Sequence, residues 1–408
     1  MAPFWGTMHW GHTVSRDLVH WEERPIALAP TPGGPDQDGC FTGCVVAEDD
    51  RFHILYTGIP RLSPLQQVQC LASSADLISW EKYPGNPIIA EPPAGFGECF
   101  RDPCVWEEKD GWYMVIGSEL PEGQGGAALL YRSQDLIHWE YLYPLFVGAA
   151  AETGHDFECP DFFPLGEGHV LLTSRGKTYW HAGNCAGHRF TRAKWGVVDG
   201  GALYAAKTLL DDRGRRILWG WIREERSSEA QRAAGWSGVL SLPRALTLRP
   251  GGSLGIDPVP ELEALRGRHQ HFEDLVLSGE EGQDVLFLDG VQGDALEILI
   301  RFAPTEATKV GAAVRCSPEG EERVEIAYDR TTKRLGDAPV ELGADEELAL
   351  RIYVDRSVIE AFANGRACQT LRFYPQRDDC VGVGLFARDG KAKVNSVDVW
   401  KIPAAKGV

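Results

Sequence analysis

Ser15-Arg-Asp-Leu-Val-His-Trp-Glu22, Ser74-Ala-Asp-Leu-Ile-Ser-Trp-Glu81 and Ser133-Gln-Asp-Leu-Ile-His-Trp-Glu140 are one octapeptide written three times, each start 59 residues after the last. A pattern this specific, repeated at one period, marks the same place in a repeated structural unit. Each copy follows a short apolar run rich in strand formers, such as CLASS or ALLYRS. Between copies the chain reads as short strands, FHILYTG (52–58), GWYMVIGSE (111–119) and HVLLTSR (169–175), separated by Gly, Pro and Asp turn signals. Four short strands per fifty to sixty residues is the arithmetic of a β-propeller blade. Within the octapeptide, Ser and Asp are expected to cap a turn between strands while Leu and Trp pack between blades, a structural role for Asp17, Asp76 and Asp135.

The repeat fades after residue 190, where HRFTRAKW (188–195) keeps only the terminal Trp, and RILWGWI (216–222) and WSGVLSLPRALTL (236–248) supply further β-rich segments for a fourth and fifth blade. PELEALRGR (260–268), with Leu262 and Leu265 three apart, reads as a linker helix. Beyond it come alternating strands without the Trp-rich octapeptide: DALEILIRF (294–302), RVEIAYD (323–329), LALRIYVDRSVIEAFAN (348–364) and KVNSVDVWKI (393–402). These suggest an antiparallel β-sandwich of roughly 130 residues. The expected division is an all-β chain with a five-bladed propeller over 1–257, its first blade incomplete, a linker over 258–269 and a sandwich over 270–408.

Composition narrows the function. The 408 residues carry 41 Lys+Arg against 59 Asp+Glu, a net charge of −18, which repels phosphate backbones and anionic membrane surfaces. Neither nucleic acid nor a membrane is an expected partner. No run of about 20 apolar residues occurs, and MAPFWGTMHW lacks the layout of a signal peptide. Ten scattered cysteines (40, 44, 70, 99, 104, 159, 185, 316, 368 and 380) form no CxxC pair and fit a reducing cytosol, with a Cys40–Cys44 bridge the one local possibility. Histidines 9, 12 and 20 match no ligand set, so neither metal nor cofactor is expected.

Ligands of a propeller sit where the innermost strands converge. Two candidates lie there: Arg101-Asp102-Pro103, with Asp102 placed 28 residues after its marker Ser74, and Glu158-Cys159-Pro160-Asp161, with Glu158 placed 25 after Ser133. The carboxylates thus occupy nearly equivalent places in consecutive blades, and the same logic predicts a third acid one blade earlier. A Pro within two residues of each is expected to stop the strand and fix the backbone that presents the side chain. Cleavage of a glycosidic bond needs such a set: an acid to protonate the leaving oxygen and a carboxylate opposite. Arg101 is placed to keep Asp102 ionised, and an apolar, carboxylate-rich pocket would raise Glu158 so that it stays protonated. Local capping of backbone amides is the alternative use of both acids. Trp5, Trp10, Phe41, Phe100 and Trp221 are candidates for stacking on sugar rings, with core packing as the alternative.

Trp5-Gly-Thr-Met-His-Trp-Gly-His, DLVHWEERPIAL, Phe41-Thr42-Gly43-Cys44, LYTG, FRDP, ECPD, LYAAKT, RILWGWI, GWSGVLSLPRAL and DRSVIEAF follow one another in this order. The succession resembles the invertase and fructan hydrolase family, glycoside hydrolase family 32, from residue 4 to about 400. The resemblance implies a five-bladed propeller followed by a β-sandwich, and retaining hydrolysis of β-fructofuranosides such as sucrose, inulin or levan. It implies that Glu158 is the acid/base and that Asp102, with Arg101, holds fructose hydroxyls and supports an oxocarbenium-like transition state. Trp5, Phe41 and Thr42 match positions lining the fructose subsite, Cys159 belongs to the ECP block, and Trp221 to the WGW block.

Two departures from the family pattern stand out. The family's nucleophile lies in a Trp-Met-Asn-Asp-Pro-Asn-Gly block ahead of the Trp5-Gly segment, and the four residues before Trp5 cannot supply it. Only 14 residues precede Ser15 against a period of 59. The 408-residue chain is therefore expected to turn substrate over poorly, through a start assigned at an internal Met or a genuine loss that leaves a fructan-binding protein. Export stays open if coding sequence lies upstream. In Ala202-Leu203-Tyr204-Ala205-Ala206-Lys207 the family usually has Asp in place of Ala202 and Gln or another polar residue in place of Lys207, which bears on sugar specificity. A fructosyl transferase, or a propeller glycosidase acting on arabinan or xylan, is the remaining alternative.

Overall fold

A computed structural model describes residues 6–279 and 285–403. Five antiparallel sheets follow one another along residues 10–258. The first has two strands, Trp10–Ser15 and Trp21–Leu28. Cys40–Glu48, Arg51–Leu62, Leu65–Ser74 and Glu81–Lys82 form the second, and Phe100–Glu108, Gly111–Glu119, Gly126–Ser133 and Trp139–Val147 the third. Glu158–Leu165, Gly168–Arg175, Lys177–Ala186 and Arg189–Val197 make the fourth. The fifth holds Leu203–Leu210, Arg216–Ile222, Arg244–Leu248 and Leu254–Pro258, with Val239–Leu240 paired at its side. Strands pair in sequence order, as hairpins dictate, and the first strands of the second to fifth sheets lie against one another around a common axis. This is the five-bladed propeller that the repeat predicts.

The octapeptide does the capping expected of it. Asp135 Oδ1 accepts the Ile137 and His138 N–H groups at 3.0 and 2.8 Å, and Ser133 Oγ donates to the same carboxylate at 3.1 Å. Asp17 and Asp76 repeat these bonds. Leu18, Leu77 and Leu136 share a left-handed backbone, with φ of 62°, 61° and 61°. The turn joins the third strand of a blade to the fourth in the second and third sheets, so Trp10–Ser15 and Trp21–Leu28 are outer strands. Ring closure follows: Trp21 meets Trp219 of the fifth sheet edge-on at 6.2 Å, and Leu18 and Val19 pack on a cluster containing Leu218.

The linker helix expected here is Pro260–Leu265, a 3₁₀ helix with Leu262 buried, and leucines three apart match its three-residue turn. After it come two six-stranded sheets. One carries His269–Leu277 at an edge, then Ala392–Lys401, Ala295–Phe302, Leu348–Asp355, Val358–Ala363 and Ala367–Arg372; the other centres on Gly382–Arg388 and Lys309–Cys316. Leu296, Ile298 and Ile300 of the first share a core with Ala312, Val314 and Leu385 of the second, a sandwich packed face to face. Arg244 of the fifth blade reaches into it, fully buried between Asp199 (2.8 Å) and Glu360 (2.6 Å). No described helix is long and apolar enough to cross a membrane. All ten cysteines, Cys40 and Cys44 included, are free.

Candidate active site

The innermost strands of the second to fifth blades break register at matching places: between Cys40 and Gly43, Arg101 and Cys104, Glu158 and Asp161, and Tyr204 and Lys207. A bulge inserts unpaired residues, bends the strand and re-aims side chains. The second residue in three of these bulges has positive φ: Asp102 (64°), Cys159 (48°) and Ala205 (52°). Pro103 and Pro160 fall inside the bulges, where a missing N–H forfeits no ladder bond, so the strands run on to Glu108 and Leu165 instead of stopping at proline. By register, Glu158 is the counterpart of Arg101, and Asp102 of Cys159. The two acids are offset by one position, and that offset brings them together. The bulge one blade earlier holds Phe41 and Thr42, so the predicted third acid is absent from it.

Arg101 is the hub. Its Nη2 donates to Glu158 Oε1 at 2.6 Å and to Asp156 Oδ2 at 3.2 Å, while its Nε stands 3.8 Å from Asp102 Oδ2. Asp102 is held instead by main chain: its Oδ2 accepts the Cys159 N–H at 2.8 Å, and its own N–H donates to Thr57 Oγ1 at 2.8 Å. Arg175 adds a second cation, 3.2 Å from Glu158 Oε1 and 2.8 Å from Asp156 Oδ1. The Tyr204 hydroxyl donates to Glu158 Oε2, and Arg223 lies 3.9 Å over the Tyr204 ring. Lys207 is half-buried beside these strands, donating to Pro160 O at 2.8 Å and standing 3.7 Å from Asp161.

These contacts reverse the expected protonation. Burial pushes the Glu158 carboxyl up, but Arg101, the Tyr204 hydroxyl and Arg175 outweigh it and hold the group below the usual glutamate range. Burial likewise raises Asp102, and Arg101 and the Cys159 N–H only partly offset it. The sequence reading had Glu158 raised and Asp102 held down by Arg101; arginine sits on the other acid. Burial and the Asp102 charge drive the Cys159 thiol far above its ordinary range, so this residue serves through its backbone N–H.

Other predicted residues fall in three groups. Phe41 is nearly buried and Thr42 partly exposed at the second blade's bulge, while Trp221 stands directly opposite Tyr204 on the next strand. Phe100 is core, fully buried near Tyr131, and Trp10 packs on Leu28 and Tyr56 while its indole donates to Phe41 O at 2.9 Å. Trp5 lies outside the described residues. Ala202 donates its N–H to Thr370 O in the sandwich. Asp156, Arg175 and Tyr204 were missed. Tyr204 was legible in principle, since LYAAKT repeats the bulge of FRDP and ECPD; the two others sit on adjoining chain that no motif marks.

Known proteins resemble this chain in sequence and fold over nearly its whole length. The model described as "Glycosyl hydrolases family 32 N-terminal domain" matches residues 1–258, and that for the family's C-terminal region matches 261–401. Sucrose-6-phosphate hydrolase of Escherichia coli is 33% identical over 438 residues, covering 98% of this chain and 88% of the relative. Raffinose invertase of Escherichia coli is 34% identical, with the same coverage of 98% and 88%. Fructan 1-exohydrolase IIa of Cichorium intybus superposes with a TM-score of 0.86 at 28% identity, over 99% of this chain and 91% of that one.

Proposed function

The chain belongs to glycosyl hydrolase family 32 and is a glycosidase of the β-fructofuranosidase type; on that premise we propose that it cleaves terminal β-D-fructofuranosyl bonds with Glu158 as proton donor and Asp102 as stabiliser of the transition state. The observation that carries the assignment is the pair of acids on neighbouring inner strands joined through Arg101. Glu158 keeps 20% of its side chain exposed, so a leaving oxygen can reach it, whereas Asp102 is 5% exposed. In the free protein Arg101, the Tyr204 hydroxyl and Arg175 hold the Glu158 carboxyl below the usual glutamate range. A sugar that displaces the Arg175 or Tyr204 contact removes what favours its charge, and the acid then takes up the proton it delivers. Asp102 Oδ2 is occupied by the Cys159 N–H, leaving Oδ1 for a fructose hydroxyl as positive charge develops on the ring.

No described residue is assigned the attacking carboxylate of a retaining mechanism. Phe41, Thr42 and Trp221 contact sugar, with Arg101 positioning both acids. Residues 1–257 form the catalytic propeller, 258–269 the connector and 270–408 the supporting sandwich. Sucrose and inulin- or levan-type fructans are the substrates; a complex of the Cichorium enzyme with 1-kestose supports the second class. The test is calorimetric binding of sucrose and 1-kestose to the full chain, beside fructose release from both. Release that falls by about 10²–10⁴ in Glu158→Gln while binding survives supports the assignment. Unchanged release removes Glu158 from the acid role, and binding without any release in the unsubstituted chain favours a fructan-binding protein.

One observation favours a phosphorylated disaccharide as a second reading. Arg223, stacked on the Tyr204 ring whose hydroxyl bonds Glu158, donates through Nη2 to Gly176 O but has no carboxylate partner among the described residues, and its Nε–H lacks an acceptor. A guanidinium placed this way suits a phosphate on the leaving sugar, the chemistry named in the sucrose-6-phosphate hydrolase relatives. A higher kcat/KM for sucrose 6-phosphate than for sucrose, lost in Arg223→Gln, supports it. Equal values for the two substrates exclude it.

A further inference from the structure

The described residues hold a second cluster of chemistry-bearing side chains, far along the chain from the propeller acids and sharing no residue with them. His269 and His271 alternate onto the exposed face of the edge strand His269–Leu277, and Asp398 stands directly across from His271 on Ala392–Lys401. His269 Nε2 lies 2.9 Å and His271 Nδ1 2.8 Å from the same oxygen, Asp398 Oδ1. The three ligand atoms all fall within 4.8 Å of one another. We propose that His269, His271 and Asp398 form a binding site for a first-row divalent metal ion of the zinc class, stapling the edge strand of the sandwich to its C-terminal strand.

Four features carry this beyond a surface ion pair. Two imidazoles and one carboxylate are the nitrogen–oxygen donor set that zinc, copper and nickel accept, without any thiolate. Both rings bring a nitrogen to the same Asp398 oxygen, so rotation of these side chains can set three donors around one ion at the roughly 2.0–2.2 Å that zinc requires. The rings are also held: His269 stacks on Trp400 with centroids 4.9 Å apart and planes 12° off parallel. The second nitrogen of His271, Nε2, lies 3.8 Å from Glu273 Oε2, an exposed carboxylate within reach of the outer-shell place that supports a ligating histidine. His269 and His271 are exposed and Asp398 half-buried, leaving a fourth position to water, and the net charge of −18 favours cation approach. Arg266, 4.0 Å over the Trp400 ring, is paired with Glu297 at 2.7 Å. Binding pins the chain just after the connector at 260–265, where the sandwich begins, and so favours its folded form.

The test uses the full chain, stripped with a chelator and titrated with Zn²⁺ by calorimetry and with Co²⁺ by absorption. One saturable equivalent per chain, a chelator-reversible rise in Tm and a cobalt spectrum of nitrogen and oxygen ligation are expected. His269→Ala and His271→Ala should each weaken zinc binding more than about tenfold, and Glu273→Gln by about tenfold. Fructose release should stay unchanged, since these residues lie in the sandwich and share no contact with the acids, and the Tm rise on adding zinc should be lost. Absence of saturable binding, binding undiminished in the His269→Ala/His271→Ala double variant, or a thiolate-to-cobalt charge-transfer band pointing to cysteine ligands would each overturn the site.

Discussion

Arg101 and Glu158 occupy the same position of the same bulge in neighbouring blades, and their side chains meet at 2.6 Å. The fold therefore supplies Glu158, the proposed proton donor, with a cation by repetition of its own unit.

A pH dependence follows from this pairing. Glu158 lies below the usual glutamate range and, as the proposed proton donor, acts when protonated, so kcat/KM should fall as pH rises through that lowered range. Asp102 lies above the usual aspartate range and must be ionised, so activity also falls as pH drops. The pH–rate profile should be a bell with an acid optimum. Arg175→Gln withdraws one cation from Glu158, raising its carboxyl, and the alkaline limb should move to higher pH. An alkaline limb that stays put would show that Glu158 is not the group titrating there.

Thr57→Val tests how Asp102 is presented. Thr57 is fully buried and accepts the Asp102 N–H at 2.8 Å while donating to Gln69 Oε1 at 3.1 Å. Valine fills the space but strands both partners, which costs about 1–3 kcal/mol of stability. The urea midpoint should fall accordingly and kcat/KM with it, and Thr57→Ser should restore both.

Arg244→Ala should be the most damaging single change outside the site. It leaves Asp199 and Glu360, both nearly inaccessible, as uncompensated buried charges between propeller and sandwich, at about 3–5 kcal/mol. Calorimetry should show a large drop in Tm. Arg244→Met combined with Asp199→Asn and Glu360→Gln should recover most of it, because no buried charge then remains unpaired.

The octapeptide turn gives a stability prediction of opposite pH sense to an alkaline loss. Burial pushes Asp135 up, but the N–H groups of His138 and Ile137 and the His138 ring outweigh it, leaving the folded carboxyl below its unfolded value. A depressed folded pKa stabilises above the unfolded pKa and ceases to do so as pH falls. Asp135→Asn should thus lower Tm at neutral pH, with the gap to the unsubstituted protein closing below about pH 4. A gap independent of pH would show that the carboxylate charge plays no part.

Much of this was readable beforehand, for identifiable reasons. Ser15, Ser74 and Ser133 report a period because the same Asp-capped turn must be rebuilt in each blade, and FRDP and ECPD report the site because proline tolerates few places in a strand. What spacing could not report was the register. Counting from Ser74 and Ser133 set Asp102 against Glu158, whereas the ladder sets Arg101 against Glu158, since loops of different length between blades absorb the difference. Phe100 read as a sugar-stacking candidate for the same reason: alternate residues of a strand point to opposite faces, and a bulge reverses the alternation.

The sequence by itself determined the repeating all-β architecture, the order of blades and sandwich, and the two carboxylates on which a reaction could be hung. These depend on local turn chemistry and on periodicity, which are properties of short segments. Only the tertiary structure decided which acid faces a cation, which is held by backbone N–H groups, and that Asp156, Arg175 and Tyr204 complete the cluster. Ionisation depends on distances of a few ångströms and on burial among strands from separate blades. Chain spacing encodes neither quantity.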